Sequence, residues 1–229
     1  MIRSDYILRM IDEFFQMLSR IRSLESEQRL AEASLTLEEG YERLIGGGSR
    51  EAAELSETEL LARLIQREPA QAVREKALIL TALLKESGDI AVAEGREEEG
   101  RTYYIKGLHL LIGNLGQEEF ADRPDFIPQV DAYMLALEGE KLPLGTQAML
   151  MRHYEQSGQF AKAEDALFGL LETEPENPRV IELGLSFYDR LKSRTDAALL
   201  AGNLPRAELE AGLSELRARQ AALAQKTPE

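Results

Sequence analysis

The stretch from Gly145 to Pro178, GTQAMLMRHYEQSGQFAKAEDALFGLLETEPENP, constrains the fold more than any other part of the chain. Met149, Leu150, His153 and Tyr154 recur at three- and four-residue steps, which places them on one face of a helix. Gly158 ends that helix, because glycine enters the left-handed conformation without a Cβ clash. A second helical face follows through Phe160, Ala163, Leu167, Leu170 and Leu171, and Pro175 and Pro178 close it. The pattern is a helical hairpin whose small residue, Ala163, sits where the two axes cross.

This hairpin resembles a tetratricopeptide repeat, a helix–turn–helix unit of about 34 residues. With Pro175 on the closing proline of that family, Leu150, Tyr154, Gly158, Ala163 and Leu167 fall on its marked positions. Gln147, Met151 and Leu170 depart from it, standing where an aromatic and two small residues are usual. The junction Gln156-Ser157-Gly158-Gln159-Phe160-Ala161-Lys162-Ala163-Glu164 lines up with Glu86 to Glu94, centred on Gly88, and with Leu200 to Glu208, centred on Gly202. A worn copy without the glycine is Leu30-Ala31-Glu32-Ala33. The opening Asp5-Tyr6-Ile7-Leu8-Arg9-Met10-Ile11-Asp12 is similar to the start of a family of uncharacterised bacterial proteins with tetratricopeptide-like helices, a resemblance that implies no activity. The expected fold is all-α: an irregular array of antiparallel helix hairpins, a tetratricopeptide-like α-solenoid. Residues 1–48 form an N-terminal hairpin and residues 49–229 the repeats, in one continuous domain.

Composition sets the remaining bounds. The 229 residues are 44% hydrophobic and 30% charged, a globular balance with enough chain for a sizeable core. No cysteine is present, which removes thiol chemistry and thiolate metal sites and suits a cytoplasmic setting. The formal charge of −14, from 41 acidic against 27 basic residues, disfavours a nucleic-acid partner, whose phosphates require clustered lysine and arginine. No run of apolar residues is long enough to span a membrane, and residues 1–30 lack the apolar core of a signal peptide.

Along the chain, Ile7, Leu8, Ile11, Phe14, Phe15, Leu18 and Ile21 give the first helix a strongly apolar face. A phase break near Leu24 to Gln28 predicts a second helix, which Gly46-Gly47-Gly48-Ser49 ends as a flexible joint. Ser56-Glu57-Thr58-Glu59 is a capping box. Pro69 suits the first turn of a helix running to Gly88. A long helix is then expected from Asp89 to about Leu115, with Ala93, Gly100 and Gly107 as a small-residue stripe and Glu94 to Glu99 on its outer face. Residues 116–128 are the least regular. A further helix is expected from Arg179 to about Ala201, with Pro205 starting the last one.

Nothing in this pattern reads as an enzyme, a cofactor site or a metal site. His109 and His153 lack partners at metal-ligand spacing on the same face, and Gly46-Gly47-Gly48 lacks the lysine and helix start of a phosphate loop. The expected function is therefore a non-enzymatic protein- or peptide-interaction scaffold, with the first helix of each pair lining the binding surface. By the tetratricopeptide alignment that surface carries Ala148, Arg152, Glu155 and Gln156 in one pair, and Arg179, Glu182, Ser186 and Asp189 in the next. The alternative is a self-assembling homodimer joined through Phe14, Phe15 and Leu18.

Overall fold

A computed structural model describes residues 2–66, 70–114 and 124–226. These hold twelve α-helices and no strand, in two compact units, Met1–Glu140 and Lys141–Glu229.

In the first unit, α1 (Ile2–Ser26) packs on α2 (Leu30–Ile45), and both lie against α5 (Ala70–Ala93). The short α3 (Ser49–Glu54) and α4 (Glu57–Ile65) bridge α2 to α5 and α6 (Glu97–Asn114), and α7 (Val130–Ala136) packs on α6. Helix α5 is the hub: every residue from Ala77 to Leu84 is buried, so it is enclosed on all sides rather than along one stripe. Two tyrosines bring hydroxyls into this core with partners: Tyr41 Oη pairs with Ser87 Oγ at 2.7 Å and Tyr133 Oη donates to the Thr81 carbonyl at 2.5 Å. A buried hydroxyl without a partner would cost about 1–3 kcal/mol.

The turn after α2 is pinned rather than loose. Gly46 takes the left-handed cap conformation (φ 69°) and the Glu38 carboxylate receives both the backbone N–H and the hydroxyl of Ser49. The expected capping box is present, with the Ser56 side chain and Glu59 satisfying each other's backbone groups.

In the second unit, α8 (Leu144–Gln156) and α9 (Phe160–Thr173) form the expected hairpin. Helix α10 (Pro178–Lys192) packs on α9 and on α12 (Arg206–Lys226), with the short α11 (Asp196–Ala201) between them. The single helix expected from Arg179 to Ala201 is broken, because Thr195 caps a new helix by accepting from the Ala198 N–H. Gly184 lets α10 approach closely: a Cβ there would sit 3.0 Å from Leu167 of α9 and also press on Leu216 of α12.

Gly88 lies inside α5, not at its end, and α5 runs on to Ala93. The turn comes at Gly95 (φ 77°), within the segment expected to be the outer face of one long helix. Gly88 instead marks a helix crossing: a Cβ on it would meet the Tyr104 ring, and a Cβ on Gly100 would stand 3.0 Å from the Gly88 carbonyl. Gly107 likewise makes room for Tyr133, whereas Ala93 is exposed at the helix end. Both a turn and a close crossing demand the missing Cβ, so local sequence did not distinguish them.

The turns that do recur share one geometry. After α1, Arg29 N–H donates to the Leu24 carbonyl and Gln28 N–H to that of Glu25, with Gln28 left-handed (φ 60°). The same double closure occurs at Gly95, Gly158 and Asn203, each with positive φ. This is the Schellman arrangement, which satisfies the last carbonyls of a helix as the chain reverses. Ala33, Gly100 and Ala163 stand five positions beyond Gln28, Gly95 and Gly158, and all are buried. Pro69 and most of the irregular segment, residues 115–123, lie outside the described residues.

Candidate functional site

The residues expected to line a recognition surface belong to α8 and α10 of the second unit. Helix α8 presents Arg152 and Gln156 to solvent, and α10 presents Arg179, Glu182, Ser186 and Asp189, whereas Ala148 is half-buried. Asn177 sets the start of α10 by accepting from the Arg179 N–H at 3.0 Å, and Pro178 occupies the first turn, where its missing donor costs nothing.

Glu155 is not a free surface group. Its carboxylate receives Arg190 through a two-pronged contact, Nε to Oε1 at 2.6 Å and Nη2 to Oε2 at 2.7 Å. This ties the last turns of α8 and α10 together across 35 positions of sequence. The bonds to Glu155 hold Arg190 still more firmly in its charged form. Asp189, one residue before Arg190, is bonded by Lys192 at 3.1 Å. Thus Glu155 and Asp189 share one end of the α8–α10 pair, while Arg179 and Glu182 lie at the start of α10.

At that start, the first turns of α10 and the last turns of α12 flank a shallow groove of about 230 Å³. Its lining is Pro178, Ile181, Glu182, Gln220, Leu223 and Ala224. Glu182 therefore edges an apolar trough that sequence reasoning missed on its α12 side. Arg190 was missed as well, because its partner lies 35 positions away and no local pattern records the pair.

Behind this face, Tyr188 of α10 donates to Glu164 of α9, and Gly212 of α12 leaves room for the tyrosine ring. Burial raises the Glu164 pKa, and the tyrosine hydrogen bond partly offsets it.

The histidines have structural surroundings. His109 Nδ1 lies 3.0 Å from Glu57 Oε1, and buried His153 stands against the ring of Tyr154 with centroids 5.4 Å apart. Among the described residues, no group of three or more histidine or acidic side chains is arranged to hold a metal ion. In the first unit an open cleft of about 690 Å³ lies beside Arg43, Glu51, Arg63 and Lys76, with Arg63 paired to Glu51.

Of the expected self-assembly face, Phe14 and Leu18 are buried in the first unit's own core. Phe15 is 50% exposed and leans on Phe126, with ring centroids 5.9 Å apart. Leu8, one heptad earlier on α1, is 58% exposed. No helix among the described residues is long and apolar enough to cross a membrane.

Residues 1–221 match a protein family described as "Family of unknown function (DUF6483)". No curated protein and no solved structure matches the chain.

Proposed function

We propose that this chain, which belongs to the DUF6483 family of unknown function, is a non-enzymatic protein- or peptide-interaction scaffold built of tetratricopeptide-like hairpins. The observation that carries this reading is the Glu155–Arg190 tie. It joins the same end of two successive first helices at a sequence distance close to one repeat. In stacked hairpins, first helices lie side by side and together offer one recognition surface. The repeated left-handed turn with a small residue five positions later supports the same reading in α1–α2, α5–α6 and α8–α9. On this account the partner lies along the exposed side chains of Arg152, Gln156, Arg179, Glu182 and Asp189. The compartment is cytoplasmic, which suits a chain without cysteine.

Co-purification of the native protein, compared with an Arg152→Glu, Arg179→Glu variant, tests the assignment. Both positions are exposed, so the variant keeps its fold. Loss of at least one partner is expected; equal recovery of every partner removes the assignment of this face.

A second reading, self-assembly through α1, rests on the exposure of Leu8 and Phe15 along one line of that helix. Light scattering distinguishes it. A wild-type dimer that Leu8→Ser, Phe15→Ser converts to a monomer supports self-assembly, and a wild-type monomer ends it.

A further inference from the structure

Where α1, α5 and α6 meet, acids outnumber bases. The carboxyls are Glu25 of α1 with Glu86 and Asp89 of α5; the cations are Arg22 of α1 and Lys85 of α5. Arg22 Nε donates to Glu86 Oε1 at 2.7 Å, and Glu86 is only 2% exposed. The other end of the guanidinium reaches the Phe126 carbonyl at 3.4 Å. Lys85 Nζ lies 2.7 Å from both oxygens of Asp89, and Tyr104 of α6 donates its hydroxyl to Asp89 at 2.7 Å. Each cation is therefore engaged by one carboxylate, and Glu25 is left over.

Glu25 Oε1 is buried and receives no hydrogen bond. Around the cluster, Tyr41 of α2 is already paired with Ser87, and Tyr133 of α7, which lies near Glu86 and Asp89, already donates to Thr81. Neither brings a positive charge. A buried carboxylate oxygen without a donor is costly, whereas a protonated carboxyl beside a carboxylate can donate to it. Burial first, and the charges of Glu86 and Asp89 next, push Glu25 up to about 8. Burial also raises Glu86, with Arg22 pulling it back.

We propose that α1 is held on α5 by a proton-operated clasp, in which the Glu25 carboxyl donates its proton to a hydrogen bond with Glu86. Release of that proton to solvent as pH rises sets two charged carboxylates against each other and loosens the C-terminal half of α1. The linkage has a definite sign. In the unfolded chain Glu25 titrates in the ordinary carboxylate range, whereas the closed clasp keeps the proton to about pH 8. The contribution to stability is therefore complete at acidic pH and is lost as pH rises through about 8. Opening uncovers Leu18, Ile21 and Leu24, all buried when the clasp is shut, so a proton controls an apolar surface.

Hydrogen exchange of the full chain at pH 6 and pH 8.5, corrected for intrinsic rates, tests the clasp. Wild-type protection of residues 18–26 is expected to fall about tenfold, a fraction of the tenfold per pH unit that one linked proton allows. Glu25→Gln is expected to hold equal protection at both values, since its amide can donate to Glu86 permanently. Equal pH response in wild type and variant overturns the proposal. Carboxyl carbon NMR of the wild type decides the matter independently of how the variant folds: titration of Glu25 above pH 7 supports the clasp, and titration below pH 7 overturns it.

Discussion

Replacing Lys106 with methionine removes a charge from a part-buried junction while keeping its packing. Lys106 of α6 is 9% exposed, and its ammonium donates to the carbonyls of Ala52, at 3.0 Å, Ala53 and Leu55. These carbonyls lie at the end of α3, a six-residue helix whose Leu55 cap N–H serves Glu51 instead. Methionine fills similar space with no donor. A charge-assisted hydrogen bond contributes about 1.5–3 kcal/mol, and stranding the carbonyl of buried Ala52 costs about 1–3 kcal/mol, whereas those of half-buried Ala53 and Leu55 can turn to water. Against this stands the recovered cost of burying the ammonium, which holds the Lys106 pKa down, with Glu57 and Glu59 opposing. The net expectation is a loss of about 2–3 kcal/mol, felt first at α3 and α4. Because the chain has two compact units, a single unfolding transition is not assumed, and amide exchange reads the effect locally. Amides of residues 52–60 should exchange about thirtyfold faster in Lys106→Met than in wild type, with those of α10 unchanged. A change below about threefold at residues 52–60 would refute the view that this ammonium secures the α3–α4 junction.

Three glycines separate the roles that the sequence blurs. Gly88→Ala, which presses on the Tyr104 ring, should cost about 1–3 kcal/mol by urea unfolding of the first unit. Gly158→Ala has open space but a φ of 75°, so about 1–2 kcal/mol is expected from backbone strain alone. Gly113→Ala, inside α6 with nothing within 4 Å, should stabilise by up to about 1 kcal/mol. A double-mutant cycle on Glu155 and Arg190 should give a coupling of about 0.5–1 kcal/mol, because Arg190 is 52% exposed and solvent screens the pair. Tyr133→Phe should destabilise by about 0.5–1.5 kcal/mol through loss of its hydrogen bond to the Thr81 carbonyl, which keeps its partner within α5, as read by thermal unfolding.

What the sequence revealed follows the range over which each signal acts. The all-α class, the α8–α9 hairpin with its turn at Gly158, and the cap at Ser56 are written in neighbouring residues. A hairpin turn does precede Leu30 to Ala33, with Gln28 taking the left-handed place usually given to glycine. Asn203, rather than Gly202, does the same before α12. Gly88 misled because its constraint comes from Tyr104 on another helix, which no local pattern records. The break at Thr195 was hidden by the continuous apolar periodicity of Leu191, Leu199 and their neighbours. The same limit applies to the polar contacts that shape the candidate sites. Lys106 reaches carbonyls about fifty positions away, and Arg22 reaches Glu86 across 64 positions. Of the residues expected to line the recognition face, exposure was legible from helical phase, but the withdrawal of Glu155 into its pair with Arg190 was not.

Photo-crosslinking from position 182 tests the central claim most directly, because Glu182 sits on both the exposed row of α10 and the edge of the groove. A crosslinker there should yield a discrete adduct with another protein in cells, while one at the exposed Leu135 of α7 should not. Adducts identical from both positions, or none from position 182, would contradict the assignment of this face as a recognition surface.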